Sequence, residues 1–324
     1  MLVFLIHGVA TQNAGYGDKF KRKVKELLLK ASTNREAAAE NDIKMPVFYS
    51  SFWGHTFKSQ TDQIFNWVRS DIKEITNRHP DLKDKGNDIY RYQELREDFI
   101  GKFFGDFLTY IHTEKGAEIR KQILAQFQAC VKQHPGNQQV VIVAHSLGTL
   151  IVWDLLFAQN LPPADPAYEF RQLFHDESYQ LQLHGLVTMG SPLLFMKIKQ
   201  DIDFSIVDDL YGRNPASYLI WLNLIHASDP IAYPLSGAIK HDCDQPLFLF
   251  MDQYIWQFSN LPEFSALGLG QLPAAMALGG MDAHNSYWGN DITAQWVALL
   301  LQGDVQTLCS QRVHTGWRSY WGLP

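Results

Sequence analysis

An apolar run ending on a small-x-Ser-x-Gly pentapeptide constrains this chain more than any other feature. The run is Val140-Val-Ile-Val-Ala-His-Ser-Leu-Gly-Thr149, and Leu150, Ile151, Trp153, Leu155 and Leu156 continue it as a helix-like stretch. A β-branched run that gives way to such a stretch predicts strand, sharp turn and helix. At a turn this tight the residues two before and two after the centre nearly touch. Ala144 and Gly148 are both small, as that requires. Ser146, at the centre, is expected in a strained positive-φ conformation with its hydroxyl clear of the backbone. The helix that starts there points its free N–H groups at the same spot, so the N–H of Leu147 can stabilise a developing oxyanion. Ser146 is therefore the candidate nucleophile.

Similar apolar runs recur at Leu2–Ile6, Val47–Phe52, Gly185–Met189 and Leu219–His226, mostly before Gly, Ser or Asp. Helical segments, beginning with Asp18–Lys30, separate most of them. This alternation predicts an α/β fold: a mostly parallel sheet with helices on both faces. Residues 1–324 read as one such domain. The region of approximately 56–134 shows no strand pattern and is expected to be a helical insertion or cap. Phe99, Ile100, Phe103, Phe104, Phe107, Leu108 and Ile111 form an apolar stripe there, read as helix–helix core or as an acyl-binding face. The turn-like Asp84–Asp88 punctuates it. Ser259–Gly280 is rich in Leu, Ala, Gly and Pro with Glu263 its only charge, and reads as an apolar loop, mobile like a lid or packed on the surface.

Net charge is −6 with the basic residues scattered, which argues against nucleic acid as a partner. Cys130, Cys243 and Cys309 have no metal-like spacing and read as thiols of a reducing compartment. The apolar start, Met1 to Ile6, lacks a basic n-region and is too short for a signal peptide or a membrane span. A soluble cytoplasmic protein is expected, with peripheral lipid contact through the Phe stripe or the Leu261–Leu278 loop as a weaker reading. No metal cluster, phosphate loop or dinucleotide fingerprint is present, so no cofactor is implied.

A serine hydroxyl becomes a good nucleophile when an imidazole takes its proton and a carboxylate orients that imidazole. Asp229 follows the strand-like Leu219–His226 directly, in Ala227-Ser-Asp-Pro230; the alternative is a turn-capping Asp. Asp203, Asp208 and Asp209 are weaker candidates because no strand delivers them. His284, in a loop before the apolar Ile292–Leu300 stretch, is the preferred base, with His241 and His314 as alternatives. Leu247–Met251 reads as the last strand, which leaves a long approach to His284.

On Ala144–Gly148, the strand-end Leu5-Ile-His-Gly-Val9, Thr188-Met-Gly-Ser-Pro-Leu193 and the Asp229-Pro230 loop, the chain resembles the α/β-hydrolase family, particularly its serine lipases and esterases. Ala144 stands where glycine is commoner. The resemblance implies the order Ser146, Asp229, His284 for the three catalytic groups. It also implies a second oxyanion donor at the N–H of Val9, a turn-fixing role for His7 and a structural role for Ser191. The expected activity is hydrolysis of a small-molecule or lipid carboxylic ester through an acyl-enzyme. A thioesterase, amidase or acyltransferase on the same groups, or a non-catalytic binding protein on this fold, are the alternatives. Oligomeric state is not legible.

Overall fold

The computed structural model describes residues 1–9, 11, 13–35, 45–54, 56, 58–79, 102–176, 178–208 and 219–310. Six strands form one sheet: β1 (Leu2–Ile6), β2 (Val47–Ser50), β3 (Gln139–His145), β4 (Gln182–Met189), β5 (Ile220–His226) and β6 (Leu249–Ile255). Their order is β2-β1-β3-β4-β5-β6, and every neighbouring pair is parallel. The described helices are α1 (Asp18–Arg35), α2 (Lys58–Arg78), α3 (Lys102–Ile111), α4 (Thr113–Gln133), α5 (Leu147–Leu156), α6 (Pro166–His175), α7 (Leu193–Lys199), α8 (Ser236–Asp242), α9 (Leu261–Gly268), α10 (Leu272–Ser286), α11 (Asp291–Leu301) and α12 (Val305–Ser310). Short helical turns occupy Ala14–Gly17, Ser205–Val207 and Tyr287–Gly289.

The uninterrupted apolar runs have a direct cause: the inner strands are covered on both faces. Side chains alternate along each strand, so Leu2, Phe4, Ile6, Val140, Ile142 and Ala144 enter one core with α4 and α5. Val3, Leu5, Val141, Val143 and Val187 enter the other with α1 and α11. The edges are less covered. β2 is half-buried throughout and ends two residues earlier than its apolar pattern predicts, because the Gln126 amide takes over the backbone of Phe52: Phe52 N–H donates to Gln126 Oε1 at 2.8 Å and Gln126 Nε2 donates to Phe52 O at 2.9 Å.

The other edge strand, β6, runs further than expected, through Asp252 and Gln253. Those polar residues hid its second half. Asp252 is tolerated because its carboxylate accepts from Asn223 Nδ2 at 2.7 Å and from the N–H groups of Leu235 and Ser236 at 3.1 and 2.9 Å.

The stretch 56–134 is helical where it is described, but its last helix is not peripheral. α4 buries Ile119, Ile123, Phe127 and Cys130 against the sheet and serves as the crossover from β2 to β3. Within the Phe stripe, Phe107 packs on this core and Leu108 is exposed. Phe99 and Ile100, the Asp84–Asp88 turn, and the side chains of Phe103 and Phe104 lie outside the described residues. No described helix is long and apolar enough to cross a membrane.

The expected apolar loop at 259–280 is instead α9 and most of α10. Asn260 caps α9 by accepting the Glu263 N–H at 2.9 Å, and buried Glu263 reaches back to accept the Ser259 N–H at 2.6 Å. A Cβ on Gly279 would lie 2.4 Å from Glu263 Cδ, so this glycine lets α10 close over that side chain. The outer surface of the two helices exposes Leu261, Leu269, Leu272 and Met276.

Strand order determines where a site can form. From β1 the chain moves out to β2, returns across β1 to β3, and then proceeds outward through β4, β5 and β6. The direction reverses between β1 and β3, and the helices that follow them, α1 and α5, cover opposite faces. A crevice opens at the carboxyl ends of two such strands. The register Ile6↔Ala144 brings those ends level, with His7-Gly8 beside His145-Ser146.

Candidate active site

Ser146 occupies the N-cap position of α5 with φ 55° and ψ −127°, a conformation costly for a residue with a side chain. Close packing maintains it. A Cβ on Gly148 would come within 2.7 Å of the carbonyl oxygens of Ile6 and His7, so only glycine lets α5 start against the end of β1. A Cβ on Gly8 would fall 2.5 Å from Ser146 Cβ. The Ser146 N–H donates to Met189 O at 2.9 Å, and its carbonyl accepts from Thr149 N–H and Oγ1 at 2.9 and 2.7 Å.

Asp229 lies just beyond the carboxyl end of β5. Its N–H closes a turn onto His226 O at 2.9 Å, and its Oδ1 accepts the Ile231 N–H at 2.9 Å, which sets the carboxylate orientation. The last turn of α10 and the helical turn that follows it supply two further donors three residues apart. His284 Nδ1 is 3.0 and 2.9 Å from Oδ1 and Oδ2, and the Tyr287 hydroxyl donates to Oδ2 at 2.9 Å. Burial opposes ionisation of Asp229, but the hydrogen bonds and charge interaction with His284 and the Ile231 and Tyr287 donors outweigh it. The carboxyl is held below the usual carboxylate range.

An ionised carboxylate accepts, so His284 Nδ1 carries a proton. In the neutral imidazole, Nε2 then accepts from Ser146 Oγ, 2.8 Å away. The structure therefore joins Ser146, His284 and Asp229 in one continuous chain of hydrogen bonds. His284 was expected in a loop; it belongs to α10, because the preceding apolar stretch is helical.

Three supporting residues escaped sequence reasoning. The His145 Nε2–H donates to the backbone carbonyl of His284 at 2.7 Å, tying β3 to α10. Burial, reinforced by His284, pushes His145 down to about 3, so it stays neutral and keeps this proton arrangement. Tyr287 accepts the His226 N–H at 2.8 Å while donating to Asp229, and burial raises its phenol well above the usual range. Gly190 (φ 58°) ends β4 against the acid–imidazole pair. A Cβ there would meet Asp229 Oδ2 and Tyr287 Cε2 at 3.0 Å and His284 Cε1 at 3.1 Å. Of these, only the i, i+3 spacing of His284 and Tyr287 was readable in advance, and only once 272–286 is recognised as helix.

The remaining expected residues are placed as follows. Leu147 is the first residue of α5, so its N–H has no intrahelical acceptor. Val9 follows Gly8 and is partly buried against the core on the α5 side of the sheet. His7 Nδ1 donates to Gly8 O at 2.7 Å, its Nε2 accepts the Trp53 N–H at 3.1 Å, and its ring stacks on Trp53. Burial depresses it to about 4. The Ser191 hydroxyl bonds Thr149 Oγ1 at 3.0 Å and accepts the Leu193 N–H at 3.3 Å.

His241 is exposed on α8 and bonded to its neighbour Asp242 at 3.0 Å. Asp203 caps a turn at Ser205, and Asp208 accepts the Leu247 N–H. Asp209 and His314 lie outside the described residues. All three cysteines are free, and among the described residues no His, Cys, Asp and Glu side chains are grouped as a metal site.

No family model matches this chain, and no curated protein does.

Proposed function

We propose that this chain is a serine hydrolase that cleaves carboxylic esters through an acyl-enzyme. The observation that carries the reading is the unbroken path from Ser146 Oγ through both nitrogens of His284 to Asp229. In the first half-reaction His284 Nε2 takes the Ser146 proton as Oγ bonds to the ester carbonyl carbon. Negative charge moves to the carbonyl oxygen, where the N–H groups of Leu147 and Val9 receive it. Asp229 stabilises the imidazolium. The same proton passes to the leaving alcohol as the C–O bond breaks. Water then attacks the acyl carbon and gives a proton to His284, and Ser146 leaves with that proton restored as the acid departs.

Ser146 is 1% exposed, so the reaction includes an opening step that admits the acyl group.

The test is a series of p-nitrophenyl esters of graded acyl length, with thioester and anilide counterparts. Wild type is expected to prefer esters, and Ser146→Ala to lose about 10⁴-fold or more in kcat. Folded wild type inactive on the whole series, or an active Ser146→Ala protein, would refute the proposal. A preference for thioesters or anilides would transfer the same chemistry to that substrate class. The acyl-length dependence reads whether the apolar outer surface of α9 and α10 takes part in binding.

A further inference from the structure

Two successive peptide units just beyond β1 are held by their oxygens. The carbonyl of the first, His7–Gly8, is fixed by the indole of Trp53, whose Nε1–H donates to His7 O at 3.1 Å. The carbonyl of the second, Gly8–Val9, is fixed by the His7 ring, whose Nδ1–H donates to Gly8 O at 2.7 Å. That bond needs the Nδ1–H tautomer, and Trp53 selects it. The Trp53 backbone N–H donates to His7 Nε2 at 3.1 Å, so Nε2 carries no proton. The Trp53 ring also stacks on the His7 ring, with centroids 4.9 Å apart and planes 11° from parallel.

A trans peptide is planar, so a carbonyl fixed on one side aims its N–H to the other. With Gly8 O turned back onto the His7 ring, the Val9 N–H points away from that ring. The turn passes directly over the nucleophile: a Cβ on Gly8 would lie 3.1 Å from Ser146 Oγ. Among the described residues no backbone carbonyl accepts the Val9 N–H.

Trp53 is itself anchored from elsewhere. It follows edge strand β2, its carbonyl accepts from the Thr56 hydroxyl at 2.6 Å, and Gln126 of α4 grips the backbone one residue earlier. A Cβ on Gly54 would come within 2.1 Å of Thr11 O, so glycine lets this segment close against the turn. The Trp53 side chain is buried, and it acts through His7 rather than by contact with substrate.

We infer that Trp53 is a positioning residue for the oxyanion: through His7 it aims the Val9 N–H at the carbonyl oxygen of the bound ester. The inference rests on the hydrolase reading above and extends it to the side chain that orients one of the two donors.

The test is Trp53→Phe in the full chain, which keeps an aromatic ring against His7 and removes the indole N–H. An oxyanion donor works mainly in the transition state, so kcat on the best p-nitrophenyl ester should fall about 10-fold or more, with KM within about 2-fold. Loosened packing also lowers kcat, so the oxyanion is read directly. Ser146 Oγ adds to the carbonyl carbon of hexyl trifluoromethyl ketone, its proton passes to His284, and the charge rests on the former carbonyl oxygen. Fluorine NMR follows protonation of that oxygen, and its midpoint should move up by about 1 pH unit or more in Trp53→Phe, the equivalent of the 10-fold loss. His7→Leu breaks the same path at its second link and should show the same rise; it decides the matter if Trp53→Phe does not fold. The inference is overturned if the folded variant keeps the wild-type midpoint, whatever happens to kcat, or if kcat is unchanged. Wild type that turns over no ester and forms no ketone adduct instead overturns the hydrolase reading, and this inference with it.

Discussion

Tyr287→Phe removes one oxygen from the buried acid–imidazole assembly and almost nothing else. Ring volume is kept, so no cavity forms. Two hydrogen bonds disappear: the hydroxyl's donation to Asp229 Oδ2 at 2.9 Å and its acceptance of the His226 N–H at 2.8 Å. A hydrogen bond to a charged group contributes about 1.5–3 kcal/mol, and a buried N–H left without an acceptor costs about 1–3 kcal/mol. Part of each loss is recovered by relaxation, so the expected destabilisation is about 2–4 kcal/mol, or a Tm lower by about 4–8 °C.

The pH dependence gives the sharper test of this reasoning. Tyr287 is one of the donors that lower the folded-state Asp229 pKa. A carboxyl with a lowered folded pKa contributes stability that is present above its unfolded value, about 3.9, and lost as pH falls toward the folded one. Without the phenol the folded pKa rises toward the unfolded value. The gap between wild type and variant should therefore be full at pH 7 and narrow below about pH 4, by at most about 1.4 kcal/mol per pH unit. Urea denaturation at a series of pH values measures it. A variant as stable as wild type at pH 7, or a gap that stays constant down to pH 3, would refute the account of Tyr287 as a donor that keeps Asp229 ionised.

Other substitutions probe separate parts of the structure. Gly148→Ala would place a Cβ 2.7 Å from two backbone carbonyl oxygens at the end of β1, and expression tests should show a destabilised or misfolded chain, by about 3 kcal/mol or more. Gly190→Ala combines a positive-φ penalty of about 1 kcal/mol with contacts of 3.0–3.1 Å on Asp229, Tyr287 and His284. It should reduce ester turnover by about 10-fold or more while circular dichroism shows a retained fold. Arg120→Met leaves Asp154 and Asp165 buried without their cation and should cost about 3–5 kcal/mol in denaturation. Burial holds His7 at about 4 and His145 at about 3, while the unfolded chain takes up protons below about 6.5. Folding stability should therefore fall as pH drops from 6.5 through 5, with the two histidines together adding up to about 2.7 kcal/mol per pH unit, measurable by denaturation at stepped pH.

How far the amino-acid sequence foretells this structure depends on how local each cause is. β1, β3, β4 and β5 were legible because strands covered on both faces must be apolar without interruption. The edge strands were not, since their ends depend on partners far away in sequence: Gln126 stops β2, and the groups that satisfy Asp252 allow β6 to continue. The region of α9 and α10 read as a loop because it is rich in Gly and Pro. Pro262 and Pro273 stand second in the two helices, within the first turn, where a missing N–H costs nothing, and Gly279 makes room for Glu263.

At the candidate site, the setting of Ser146 was local and readable, and the position of Asp229 at a strand end nearly so. Order along the chain permitted three histidines, and His284 was preferred among them for its place before the apolar Ile292–Leu300 stretch. The contributions of His145 and Gly190 arise from tertiary contact and leave no local signal, and Tyr287 leaves only its i, i+3 spacing from His284.

The central claim is that Ser146 is a nucleophile activated by His284, and covalent labelling tests it most directly. A fluorophosphonate reports the chemistry itself, since the serine oxygen bonds to phosphorus as fluoride departs. Digestion and mass spectrometry of labelled wild type should find one adduct, on the peptide that contains Ser146. Ser146→Ala should carry none, and His284→Ala should label far more slowly. Folded wild type that takes no label, or label retained by Ser146→Ala, would contradict the account.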